Sequence, residues 1–141
     1  MLTVIVTCGN RKRKVRSFVR DLYSGPYVRK CLELARVLSK EPRIFILSGK
    51  YGLLRLDQKI RPYDSAKFPA VIRSGWFFRL VKLQSKRYRV GDHPVILGGD
   101  KSRYGIFCHN VWPNATYPLS GVGSIGKQLQ RLNILIRARR I

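Results

Sequence analysis

Three short runs of apolar, mostly β-branched residues set the tightest limit on how this chain can fold. Leu2-Thr-Val-Ile-Val-Thr7, Ile44-Phe-Ile-Leu47 and Val95-Ile-Leu97 lack the polar alternation of a strand with one wet face, and glycine follows each within two residues. Such runs read as strands covered on both faces. Helical patterns lie between them. Ser24-Gly25-Pro26 places proline at a helix start, after which Val28, Cys31, Leu32, Ala35 and Leu38 recur at helical spacing until Glu41-Pro42 stops the helix. Trp76, Phe77, Leu80, Val81 and Leu83 are expected on one buried helix face, and positions 101–110 form another helix. Ile125, Leu129, Leu132 and Ile136 belong to a closing helix. Ala115–Leu119 is a weak candidate for a fourth strand, because it contains Pro118. No internal repeat or domain boundary interrupts the alternation. It predicts an α/β fold: one three-layer domain over residues 1–141, with a mostly parallel, roughly four-stranded sheet and helices on both faces.

In such folds ligands bind beyond the carboxyl ends of the strands. The loops expected there span positions 8–24, 48–64, 98–104 and 120–127. In the first, Gly9 and Asn10 offer backbone N–H groups, and Lys12 and Arg13 offer charge, to phosphate. Cys8 is either a small cysteine at a strand end or a nucleophile activated by neighbouring cations. In the second, Gly49 and Gly52 allow tight turns, Ser48 and Lys50 can hold an anion, and Tyr51 and Tyr63 can stack on a base. Asp57 and Asp64 are rare acids in a basic chain, serving either as anchors for Arg or Lys or as general bases; with Tyr63 they are the catalytic candidates. The third loop brings Gly98 and Gly99 with Tyr104, which either packs in the core or stacks on a base, while Asp100 suits a helix cap. In the fourth, Gly121, Gly123, Ser124 and Lys127 precede a helix and form an anion site. The spacing Gly121 to Gly126-Lys127 has the outline of a nucleotide-triphosphate loop, but Gln128 stands where the magnesium-binding Ser or Thr is needed, so NTPase chemistry is rejected.

Charge selects the partner. The chain holds 29 Lys and Arg against 7 Asp and Glu, a net charge of +22, distributed along its whole length. A chain this basic repels itself unless a polyanion offsets the charge, which points to nucleic acid, DNA or RNA, rather than a membrane surface. No apolar stretch approaches the ~20 residues of a membrane span. Three cysteines without paired spacing, and an amino terminus that runs straight into a strand, point to a reducing, intracellular compartment, the cytoplasm. His93 and His109 are not clustered with cysteines, so neither a metal nor a cofactor is expected.

Several of these segments also form a familiar set. Thr7-Cys8-Gly9, Asp21-Leu22-Tyr23-Ser24-Gly25-Pro26, Ser48-Gly49-Lys50-Tyr51-Gly52-Leu53-Leu54, Pro62-Tyr63-Asp64 and the closing Pro118-Leu119-Ser120-Gly121 through Leu129 together resemble a bacterial and phage family of small α/β domains with no assigned activity. The Ser48-Gly49-Lys50-Tyr51-Gly52-Leu53-Leu54 and Pro62-Tyr63 elements are also similar to those of the DNA-binding YaaA family and, more distantly, to the uracil-DNA-glycosylase-like domain associated with archaeosine synthesis. The resemblance implies a parallel-sheet domain that handles nucleotides or bases within nucleic acid. Two functions follow as expectations: an enzyme of glycosidic-bond or base-modification chemistry, or a non-catalytic structural component, such as a ribosome-associated protein, with a vestigial pocket. A nucleotide-sensing domain that uses the glycine loops is a third.

Overall fold

A computed structural model describes residues 2–7, 12–64, 74–98 and 103–140. The expected α/β architecture is present. Strand β1 (Val4–Thr7) is wholly buried and sits between two parallel neighbours, β3 (Ile44–Ser48) and β6 (Val95–Leu97). Helices α1 (Val19–Leu22), α2 (Pro26–Leu38), α3 (Gly75–Arg87), α4 (Arg103–Val111) and α5 (Ile125–Arg140) cover the sheet. Side-chain alternation sorts them into two layers. Val4, Val6, Ile44, Ile46, Val95 and Leu97 face α1, α2 and α5, whereas Ile5, Phe45, Leu47 and Ile96 face α3 and α4.

The fourth strand differs from the expectation. Ala115–Leu119 contributes only an isolated bridge, Val95 to Thr116, because Pro118 cannot donate to a ladder. The fourth place belongs to β4 (Gly52–Arg55), antiparallel to β3 at the sheet edge, giving the order β4-β3-β1-β6. The segment 48–64 is therefore not one long loop. It turns at Gly49–Tyr51, runs back along β3 and continues into β5 (Lys59–Ile60), which pairs with β2 (Ser17–Phe18) in a two-stranded antiparallel ribbon. Gly52 makes the return possible. Its φ is +71°, and a Cβ there would overlap the Gln84 side-chain oxygen, which accepts a hydrogen bond from Leu53 N at 2.7 Å.

Helix α2 starts as expected, with Gly25 at the N-cap and Pro26 in the first turn. Ser74 immediately precedes helix α3, and its hydroxyl accepts from Phe77 N at 3.1 Å as the helix cap. The buried face of α3 is not the expected one. Phe77 and Val81 enter the core, but Trp76 is 56% and Leu83 68% exposed. In α5, Leu132 and Ile136 are buried and Leu129 is partly so, whereas Ile125 is on the surface.

This placement has a measurable consequence. Phe77→Ala is expected to cost about 3–5 kcal/mol of stability by leaving a cavity. Trp76→Ala, one residue away, is expected to stay within about 0.5 kcal/mol of the parent. Urea unfolding of the two variants checks both values.

Candidate functional site

The switch in strand order sits at β1: the connection through α1 and α2 leads to one neighbour on one face, and the connection through α3 leads to the other on the opposite face. The crevice this opens lies beyond Thr7, Ser48 and Leu97. At its floor β1 and β6 approach closely. Thr7 Oγ1 donates to Leu97 O at 3.4 Å, and a Cβ on Gly98 would overlap that hydroxyl.

A hydroxyl chain is built on the end of β3. Ser48 is fully buried, and its Oγ accepts from the backbone N–H groups of Lys50 and Tyr51, both at 3.2 Å, which closes the turn into β4. With both lone pairs of Oγ occupied, its proton goes to the Tyr63 hydroxyl at 2.5 Å. The Tyr63 hydroxyl also shares a hydrogen bond of 2.7 Å with the Tyr23 hydroxyl, inside the first helical layer, in which either oxygen can donate. Tyr51 meets the Tyr63 ring edge-on with centroids 5.6 Å apart.

Two ammonium groups lie on these rings. Lys12 Nζ sits 4.3 Å from the Tyr63 centroid and 5.5 Å from that of Tyr23. Lys50 Nζ lies 5.2 Å from Tyr51 and 6.0 Å from Tyr63. Such contacts hold a cation at about 0.5–1 kcal/mol on an exposed site. Lys12 is positioned by backbone pairing, through its bridge to Tyr23 and the Arg13 N bond to Leu22 O at 2.8 Å. Tyr51 is positioned from α3, where the Gln84 amide donates to Tyr51 O at 3.0 Å.

The glycine segment before α5 joins the same end of the sheet. Gly121 and Gly123 take φ values of +72° and +100°, and Ser124 caps α5 by accepting from Lys127 N at 3.4 Å. Gln128 has a structural role. It donates to Gly123 O at 2.9 Å and accepts from the Tyr27 hydroxyl at 2.6 Å, tying the glycine turn to the first turn of α2. The positive ends of α2 and α5 therefore lie side by side.

The structure thus brings together Lys12, Ser48, Lys50, Tyr51 and Tyr63, and sets Gly121, Gly123, Ser124 and Lys127 beside the start of α2. Arg13 is exposed next to Lys12, and Asp64 is exposed next to Tyr63. Asp57 is not part of this group. Because β4 runs antiparallel to β3, it carries the chain to the far end of the sheet, where Asp57 pairs with Arg55 at 3.1 Å and helps line a cavity of about 310 Å³ with Arg20 and Glu41. Tyr104 is 7% exposed and belongs to the core under α4. Cys8, Gly9, Asn10, Gly99 and Asp100 lie outside the described residues. Burial pushes the thiols of Cys31 and Cys108 up to about 12, which keeps both protonated and unreactive near neutrality. No group of metal-ligating residues forms among the described residues, and none of their helices is long and apolar enough to cross a membrane. Sequence reasoning missed Tyr23, Tyr27, Gln84 and Gln128 as site-building residues; only Tyr23 and Gln128 carried a signal, within the recurring motifs.

A doubly wound α/β protein with a lysine- and tyrosine-lined crevice at its strand ends is the class these features define. Within that class the chain belongs to DUF6884, a family of unknown function whose pattern matches residues 3–134. Comparison with curated proteins and with solved structures finds no match.

The hydroxyl chain makes a quantitative prediction. Tyr63→Phe deprives the buried Tyr23 and Ser48 hydroxyls of a shared partner and is expected to cost about 1–3 kcal/mol. Amide hydrogen exchange at Lys50 and Tyr51 is expected to speed up in the same variant, as the turn that Ser48 closes loosens.

Proposed function

We propose that the protein binds nucleic acid, spreading the phosphate backbone over its basic surface and seating one nucleotide at the strand ends. The observation that carries this reading is the charge imbalance. Seven acids can pair with seven cations, so at least 22 of the 29 Lys and Arg side chains have no acid to neutralise them. A small anionic substrate would need two or three cations at one crevice. The exposed cations here occupy both helical layers, among them Arg36 on α2, Arg79, Lys82 and Lys86 on α3, and Arg131, Arg137 and Arg139 on α5. A distributed coat of this kind suits a distributed anion.

The crevice supplies the rest of the reading. Lys12 and Lys50 suit a phosphate, and the Tyr51 and Tyr63 rings suit a base or sugar. The motif resemblance to the YaaA family and to the uracil-DNA-glycosylase-like domain supports base or nucleoside chemistry there. In that case Asp64, adjacent to Tyr63, is the general acid or base, and the Ser48–Tyr63–Tyr23 chain orients the reacting group. A non-catalytic ribonucleoprotein role is favoured instead by one observation: the Tyr63 hydroxyl is already engaged on both sides by Ser48 and Tyr23. The reduced, buried Cys31 and Cys108 agree with a cytoplasmic setting.

Fluorescence anisotropy with labelled oligonucleotides across a salt series tests the binding. Log affinity is expected to fall linearly with log salt at a slope of about −4 or steeper for a duplex, as five or more phosphates would release their counterions. Lys12→Gln and Lys50→Gln are each expected to flatten that slope by about 1. Salt-independent binding would refute the proposal. Mass analysis of the oligonucleotides after incubation separates the enzyme from the structural component, since only the former yields base release or a mass change that Asp64→Asn abolishes.

A further inference from the structure

The outer face of α3 carries a surface that the strand-end crevice does not use. Within Gly75–Arg87 there is no acidic residue. The exposed positions are Trp76, Arg79, Lys82, Leu83, Lys86 and Arg87, and they recur at helical spacings on the side opposite Phe77 and Val81. Exposed Arg89 continues the basic line past the helix end, where Lys82, Lys86 and Arg89 edge an open groove of about 440 Å³ with Leu83 and Asp92. Cations therefore dominate the whole length of the face.

Trp76 decides what such a face accepts. The indole at the start of this basic helix has more than half its surface in solvent, which leaves its ring open to a stacking partner. A nucleic-acid duplex offers phosphates but keeps its base faces stacked, so it would use the cations and leave the indole idle. A single strand offers both: phosphates for Arg and Lys, and open base faces for the indole. The distance fits as well. Ten helical residues from Trp76 to Lys86 span about 15 Å, room for roughly four nucleotides at the ~3.4 Å per-strand spacing of a duplex.

From the acid-free, tryptophan-headed face of α3 we infer that this helix is a track for single-stranded nucleic acid, with Trp76 stacking on a base and Arg79, Lys82 and Lys86 meeting the backbone. The inference rests on the nucleic-acid reading above and adds the strand state and the surface. The track is also coupled to the crevice, because Gln84 on the same helix holds Tyr51 O and Leu53 N.

Two measurements test it. The protein has two tryptophans, Trp76 and the buried Trp112, so Trp112→Phe isolates the emission of Trp76. Short oligothymidylate or oligouridylate is expected to quench that emission strongly, and vesicles of phosphatidylserine are not. In the otherwise unaltered chain, Trp76→Ala is expected to weaken anisotropy-measured binding of the same single strands roughly tenfold or more, and to leave binding of a duplex of equal length unchanged. Because Trp76 is outside the core, this second measurement survives any loss of stability caused by Trp112→Phe. If Trp76→Ala binds single strands as tightly as the parent while Lys12→Gln and Lys50→Gln weaken them, the α3 track is wrong and the nucleic-acid reading stands. If the parent binds neither single strands nor duplex, and the vesicles quench Trp76 instead, both readings fail and the face is a membrane-surface helix.

Discussion

Everything in this structure depends on enclosing β1. Val4, Ile5 and Val6 are completely buried, with β3 hydrogen-bonded on one side and β6 on the other. A strand in that position has no water for its backbone groups, so both parallel neighbours must be in place before it is satisfied. Parallel neighbours require crossovers, and the crossovers put α1 and α2 on one face and α3 on the other. One crossover runs from β1 to β3 on one face and the other returns on the opposite face to β6, and the crevice opens at β1 where they part. Burial of Val4, Ile5 and Val6 thus fixes the layers, the topology and the location of the site.

The same enclosure explains which parts of the fold were legible in the sequence. β1, β3 and β6 were, because a strand buried on both faces must be written in continuous apolar residues. β4 was not. Gly52-Leu-Leu-Arg55 is short, lies at the edge and begins with a glycine required by a turn, so its composition is that of a loop. Missing β4 then misplaced Asp57, because a loop would have kept it near Ser48 and an antiparallel strand carries it to the other end of the sheet. α3 failed for another reason. It has two overlapping apolar stripes, Trp76–Leu80–Leu83 and Phe77–Leu80–Val81, and hydrophobicity alone does not say which meets the sheet. Packing against Phe107 and the sheet selects the second stripe.

At the site, residue types were legible and their connections were not. Ser48, Lys50, Tyr51 and Tyr63 stand out because glycine, lysine and tyrosine crowd a strand end. That Tyr63 reaches back to Ser48 across fifteen positions, and then on to Tyr23 across forty, is a consequence of tertiary packing with no local periodicity to reveal it. The same holds for Gln128. Its position suggests a failed phosphate loop, while its two hydrogen bonds give it a different purpose, fastening the glycine turn to α2.

Placement of the few acids completes the electrostatic design. Glu41 pairs with Arg20 at 2.6 Å and Asp57 with Arg55, both beside the amino end of β3, and Asp92 precedes β6 at that same end of the sheet. Exposed pairs of this kind add little to stability, typically ~0–1 kcal/mol. Their larger effect is on the field. They partly neutralise the amino ends of the strands, while at the carboxyl ends Lys12, Lys50, Lys127 and the positive termini of α2 and α5 share the space with Asp64. On the proposed nucleic-acid reading, the diffuse basic coat is what sets how fast and how tightly the polyanion is captured.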